Sequence, residues 1–253
     1  MKVFVIIPAA GLGTRMAPAD AKGKSAKKIP VSKQFTEVGD APILVHTLRK
    51  FAASYPVTDI YVAMRKNEME GFKKQIKEEK LSKPVHLVEG GESRQESVAN
   101  ALAMLAKTKP SPNDVVLVHD AVRPFVDPDI INAVIEAASR VGAAIAGVPA
   151  VDTVKQVERT ANGAIITSTV PRERVVMAQT PQGFRYSVIK KAFDDAIADG
   201  FTGTDEASLA ERAGNEVAVV MGSARNIKIT TPDDMELAEF FLSQDRRRSN
   251  LAG

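Results

Sequence analysis

Short β-branched and apolar runs alternate with amphipathic stretches along nearly the whole chain, and this pattern constrains the fold more than any other feature. Val3–Ile7, Asp59–Met64, Val85–Val88, Val115–His119 and Ala143–Val148 read as strands, with segments of helical periodicity between them. A strand followed by a helix and another strand crosses over and returns parallel, so the alternation specifies βαβ units. The expected class is α/β: a Rossmann-like, mainly parallel open sheet with helices on both faces, a single domain over residues 1–253.

Several helix starts are marked. Asp40 is placed to cap a helix beginning near Pro42, with Leu44, Leu48 and Phe51 on one face. Ser93 with Glu96 makes a capping box ahead of Val98, Leu102 and Leu105, and Asp127-Pro128 and Thr231-Pro232 each set a cap before a proline. One stretch breaks the rhythm. Val151 to Glu158 alternates apolar and polar residues, Asn162-Gly163 supplies a hairpin turn, and Ile165 to Val170 is again extended. A projecting antiparallel β arm of about residues 151–178 is expected. Such a ribbon is marginal in water alone, which points to packing on a second subunit.

The first strand delivers Pro8-Ala9-Ala10-Gly11-Leu12-Gly13-Thr14-Arg15, with Lys33-Gln34 following the linker-like stretch Ala17–Ser32. Two glycines permit a tight turn whose N–H groups face phosphate oxygens, and Arg15 adds a planar, permanently charged fork. Met16 stands where a dinucleotide fingerprint needs a small residue, and no Gly-Lys-Ser/Thr ending makes a P-loop. On its own, Gly-x-Gly is also compatible with an ordinary turn.

Four further blocks carry candidate chemistry. Glu89-Gly90-Gly91-Glu92-Ser93-Arg94-Gln95-Glu96-Ser97 lies between a strand and a helix start, where polar or anionic groups bind, although a glycine turn with a cap explains it too. Asp120 and Arg123 leave the most hydrophobic strand at the edge where open α/β sheets bind ligands; alternatively they form a local ion pair. His119 reads as a packed strand residue. Arg172-Glu173-Arg174 ends the arm as either a functional or a solvated charge run. Asn226-Ile227-Lys228-Ile229-Thr230-Thr231-Pro232 places Lys228 within a short strand that enters the last helix, where it is also compatible with the exposed face of an edge strand.

The chain has 253 residues, no cysteine and no tryptophan, and 34 basic against 31 acidic residues give a net charge of +3. Thiolate chemistry, disulfides and Cys-ligated zinc are excluded. The small charge and the scarcity of aromatic platforms argue against nucleic acid. With no signal peptide or spanning segment, a cytoplasmic protein without a membrane partner is expected.

Taken in order, these blocks resemble the 2-C-methyl-D-erythritol 4-phosphate cytidylyltransferases of the non-mevalonate isoprenoid pathway. The resemblance spans Pro8–Met16, Lys33-Gln34, Gly90–Ser97, Val118–Pro124, Asp152-Thr153, Thr180-Pro181-Gln182, Thr204–Ser208 and Asn226–Pro232. It implies that CTP and a methylerythritol phosphate give the cytidine diphosphate sugar alcohol and pyrophosphate, with Mg²⁺ as cofactor, its protein ligands left open. The resemblance also implies Arg15 and Lys33 as catalytic residues, and Ala9, Ala10, Gly11, Gly13, Gly91 and Ser97 as the nucleotide site. Asp120, Arg123, Thr153, Arg172 and Lys228 take the sugar-alcohol phosphate, with Thr153 and Arg172 reaching over from the neighbouring subunit of a homodimer. The Met16–Lys33 loop is longer and richer in lysine (Lys22, Lys24, Lys27, Lys28) than the family's spacing, and Ser32 replaces the usual proline. Alternatives are a ribitol 5-phosphate cytidylyltransferase and, more remotely, a non-catalytic nucleotide-binding regulator.

Overall fold

The computed structural model describes residues 1–11, 32–161 and 163–252, the last four by backbone alone. β1 (Val3–Pro8) is followed by a small hairpin of β2 (Glu37–Val38) and β3 (Ala41–Pro42), then by α1 (Ile43–Ala52). β4 (Asp59–Met64), α2 (Lys66–Glu79), β5 (Val85–Glu89), α3 (Arg94–Ala106) and β6 (Val115–Val118) continue the alternation. α4 (Pro128–Val141) and β7 (Ala143–Pro149) lead to the arm, β8 (Val154–Thr160) and β9 (Gly163–Val170). β10 (Val176–Arg185), α5 (Tyr186–Ala198), α6 (Glu206–Arg212), β11 (Ala218–Met221) and α7 (Pro232–Ala252) complete it.

Among the described residues seven strands form the main sheet in the order β11-β7-β10-β6-β1-β4-β5. β1 pairs in parallel with β4 and β6, β4 with β5, and β11 with β7. The sheet is therefore mainly parallel, as the alternation implies. Side-chain direction follows the two-residue period of a strand. Val3, Val5 and Ile7 pack with α1 and α4 on one face; Phe4 and Ile6 pack with α3 and α5 on the other. Buried on both sides, these strands are apolar without alternation, which is why they stand out in the sequence.

β10 is a departure. The sequence reading places no strand over Gln179–Phe184, beyond the arm, whereas here the segment belongs to a central strand running antiparallel to both β6 and β7. Gln179, Thr180 and Gln182 are buried and hydrogen-bonded, so a polar stretch with Pro181 and Gly183 hides a core strand from any hydropathy pattern. Gly183 is required there: a Cβ would lie 2.7 Å from Val134 Cγ1 of α4. Three smaller expectations also change. Lys228 lies in an irregular segment rather than a strand, because Ile229 N–H is bonded to Val122 O of a loop and not to a sheet neighbour. Asp40 does not cap α1, whose cap position is Pro42; its carboxylate instead binds Arg49 and Arg246. His119 lies one residue beyond the end of β6.

Other caps match the reading. Asp127 accepts from Asp129 N–H, Ser93 from Glu96 N–H, and Thr231 from Asp234 N–H. The arm is an antiparallel ribbon with Val154 opposite Val170 and Thr160 opposite Gly163; of its expected turn, Asn162 lies outside the described residues. Val157, Ile165 and Ile166 are exposed on it.

His119 connects β10 to the edge of the sheet. It is fully buried; Nε2 donates to Arg123 O, so Nδ1 accepts from the Thr180 hydroxyl, which in turn accepts from Asp120 N–H. This pattern uses the neutral ring, and burial pushes the pKa down from 6.5 to about 4. The unfolded chain binds the proton more readily, so this contribution to stability is whole above pH 6.5 and is lost as pH falls through about 4. His119→Gln removes the titration: the wild-type advantage in urea-unfolding free energy is expected to shrink by about 2 kcal/mol between pH 7.5 and 4.5. A pH-independent difference would show that the ring is not held neutral.

Candidate active site

β1 runs parallel to β4 and β6 and so ends at the same edge as they do, and the chain passes from β1 to β4 on one side before returning to β6 on the other. A crevice opens at such a reversal, outside the carboxyl ends of the strands. Here it is a pocket between Pro8–Gly11 after β1, Gly91–Ser97 around the start of α3, and Asp120–Val122 after β6, closed by Lys33, Gln34 and Lys228.

The first loop is held by its backbone. Ala9 N–H donates to Ala63 O, Gln34 Nε2 donates to Ala9 O, and Arg65 Nε donates to Ala10 O at 3.0 Å. Both carbonyls are thereby tied to side chains of neighbouring segments. The second loop lies close against the first: a Cβ on Gly90 would stand 2.5 Å from Ala10 Cβ, so only glycine fits. Gly91 N–H donates to Ser97 Oγ at 3.1 Å and that hydroxyl donates to Ser93 O at 2.9 Å, which keeps one acceptor lone pair of Ser97 for the pocket.

The third loop carries the charge. Asp120 is buried, and three cations converge on it: Lys228 Nζ at 2.9 Å and Arg123 Nε at 3.3 Å from Oδ2, and Arg94 Nε at 3.4 Å from Oδ1. Burial alone would raise its pKa, but the charges of Lys228, Arg94 and Arg123 overcome it and hold the carboxyl well below the usual range. Arg123 also donates to Asn226 O at 2.6 Å, tying the loop after β6 to the segment that carries Lys228. Arg94 reaches a second carboxylate, Glu206 Oε1, at 2.6 Å. Two anions against three cations leave the cluster with a surplus of positive charge at the pocket floor.

Ala9, Ala10, Gly11, Lys33, Gly91, Ser97, Asp120 and Lys228 thus line one pocket. Arg123 stands behind it through Asp120. Thr153 and Arg172 are exposed and line no part of it; Arg172 instead donates to Val151 O at 3.1 Å and pairs with Glu173 at the base of the arm. Gly13 and Arg15 lie outside the described residues. The sequence reading assigned no role to Arg65, Arg94, Gln34 or Glu206. Arg94 was visible in its motif, but the partners of these side chains are 25 to 112 residues away, and nothing local announces them. Among the described residues no group of three or more His, Cys, Asp or Glu side chains could hold a metal, and no helix is long and apolar enough to cross a membrane.

Comparison with known proteins bears on the same pocket. The family model described as IspD, 2-C-methyl-D-erythritol 4-phosphate cytidylyltransferase, matches residues 3–244. A protein of that name from Acidobacterium capsulatum is 56% identical over 248 residues, covering 98% of this chain and 100% of its own. One from Solibacter usitatus is 53% identical over 253 residues, the whole of both. The crystal structure of the Francisella tularensis 2-C-methyl-D-erythritol 4-phosphate cytidylyltransferase superposes with a TM-score of 0.76 at 34% identity, covering 95% of this chain and 99% of that one. The Thermus thermophilus structure gives 0.71 at 32%, over 95% and 98%. From the parallel sheet with its charged crevice to the match over nearly its entire length, the chain belongs to the 2-C-methyl-D-erythritol 4-phosphate cytidylyltransferase family.

Proposed function

We infer that this protein transfers the cytidylyl group of CTP to 2-C-methyl-D-erythritol 4-phosphate, forming 4-diphosphocytidyl-2-C-methyl-D-erythritol and pyrophosphate for isoprenoid synthesis. The observation that carries the reading is the convergence of Lys33, Lys228 and the Asp120 cluster on a pocket walled by the β1 loop. A phosphate oxygen of the sugar alcohol attacks the α-phosphorus of CTP, a P–O bond forms there, and the bond to the β-phosphate breaks as pyrophosphate leaves. Transfer of this kind is positioning and electrostatics rather than covalent catalysis, which agrees with the cations Lys33, Arg94 and Lys228 that line the pocket.

The chain's own residues divide the work. The backbone of Ala9 to Gly11 walls the nucleotide with the N–H groups of Ala10 and Gly11 turned to it, and the spare lone pair of Ser97 suits the exocyclic amino group of cytosine. Gly91 lets that loop approach. Lys33, with Arg15 and Gly13 from the glycine loop, is proposed for the triphosphate, where a cation stabilises charge on the α-phosphate. Lys228 and Arg123 are proposed for the sugar-alcohol phosphate, with Asp120 orienting both. Mg²⁺ is typically held by one or two carboxylates together with substrate phosphates; both oxygens of Asp120 already face Arg94, Arg123 and Lys228, so Asp120 offers it no open carboxylate, and the substrate phosphates are proposed to carry the ion with its protein ligands left open. When bound it would neutralise phosphate charge.

The arm motivates a homodimer. A ribbon with Val157, Ile165 and Ile166 exposed is marginal by itself, and a second copy would cover it while bringing Thr153 and Arg172 to the partner's pocket. No membrane or nucleic-acid partner enters this reading, and the cytoplasm is the proposed location.

Pyrophosphate release with Mg²⁺, each of four NTPs, and methylerythritol or ribitol phosphate tests the substrates. Turnover is expected with CTP and methylerythritol phosphate; turnover with ribitol phosphate alone would replace the reading by the related polyol enzyme. Lys228→Ala is expected to lower kcat/KM at least about a hundredfold, as for loss of a charge-stabilising donor. Mixed with Arg172→Ala subunits, it is expected to recover about a quarter of wild-type activity, since random mixing gives half heterodimers with one intact site each. Proven heterodimers without recovery would exclude a shared site.

A further inference from the structure

Glu206 is buried at the start of α6, and its Oε2 has no hydrogen-bond partner among the described residues. Its helix does not need it as a cap. Asp205 and Ser208 already form the capping box, and Gln182 of β10 accepts from Ala207 N–H and donates to Asp205. Burial raises the Glu206 pKa despite the nearby guanidinium, so the chain keeps this carboxyl in place at a cost in desolvation. What it does hold is Arg94, at 2.6 Å.

Arg94 is equally costly where it stands. It is the first residue of α3, at the positive end of the helix dipole, where a cation is disfavoured. It is retained between two carboxylates, Glu206 and Asp120. Of the three cations on Asp120 it is the one that contacts Oδ1, while Lys228 and Arg123 share Oδ2. Both oxygens are thereby fixed, and Arg94 is itself part of the pocket lining.

Resting on the function inferred above, we propose that Glu206 and Arg94 are positioning residues: Glu206 anchors Arg94, and Arg94 sets the orientation of Asp120 for the sugar-alcohol phosphate. Glu206 itself touches no substrate. Release of Arg94 lets the Asp120 carboxylate turn about Oδ2, which Lys228 and Arg123 still hold. On the nucleotide side, Gly91 N–H, the Ser97 hydroxyl and Ser93 O bond to one another without the Arg94 side chain.

The test is a double-mutant cycle. Glu206→Met, an apolar replacement of similar size, is expected to raise KM for the sugar-alcohol phosphate about tenfold, within the coupling range of residues that share one network, while KM for CTP stays unchanged. Glu206→Gln, which keeps an acceptor for Arg94, is expected to restore most of the loss. In an Asp120→Asn background the Glu206 replacement should change KM less than about twofold, because it acts through Asp120. Additive effects, or both KM values rising together with a lower melting temperature, would assign Glu206 to stability alone and overturn the proposal. Should Glu206→Met not fold, Arg94→Met, which removes the same contact from the other side, carries the same cycle. A crystal structure of the Glu206 variant needs no substrate and so separates this idea from the assigned reaction. Arg94 is expected to have left Asp120 Oδ1, and a guanidinium unmoved from it would overturn the proposal whatever the wild-type enzyme turns over.

Discussion

Asp120 stays ionised at a position where burial alone would neutralise it, and the elements around the pocket have to stand where they do for that to hold. Lys228 comes from the segment before α7, Arg123 from the loop after β6, Arg94 from the start of α3, and Glu206 from α6. A buried ion cluster contributes little net stability, since desolvation offsets most of the Coulombic gain. Its value lies in geometry: each member is satisfied only in one arrangement, so the cluster fixes how four otherwise separate segments meet at the sheet edge.

The apolar framework makes that arrangement affordable. Strands covered on both faces give a rigid sheet whose parallel members end together, and the crossover from β1 to β4 and back to β6 opens the crevice. The neutral His119 belongs to both systems. It sits in the core, yet through the Thr180 hydroxyl it fixes the backbone of Asp120, so β10 supports the site without lining it.

The division of labour along the sheet also separates the polar chemistry from the projecting arm. Loops at the carboxyl edge carry the polar chemistry, while the ribbon of β8 and β9 projects with apolar side chains in water. Surface of that kind is the signature of an interaction site rather than of a folding core.

The parallel sheet, most helix starts and the antiparallel arm were legible in the sequence, because doubly buried strands read as apolar runs and caps are local. Through the family resemblance of their motifs, so were Ala9, Ala10, Gly11, Lys33, Gly91, Ser97, Asp120 and Lys228, which line the pocket. What the sequence did not disclose was β10, whose buried Gln179, Thr180 and Gln182 mimic a loop, and the surroundings of Lys228, set by Val122 rather than by a strand neighbour. Nor could it pair Arg94 with Glu206 across 112 residues. Local periodicity and capping are properties of neighbouring residues and are written in order along the chain. The ionisation of Asp120 depends on charges delivered by remote segments, and only the packed sheet decides which of them arrive.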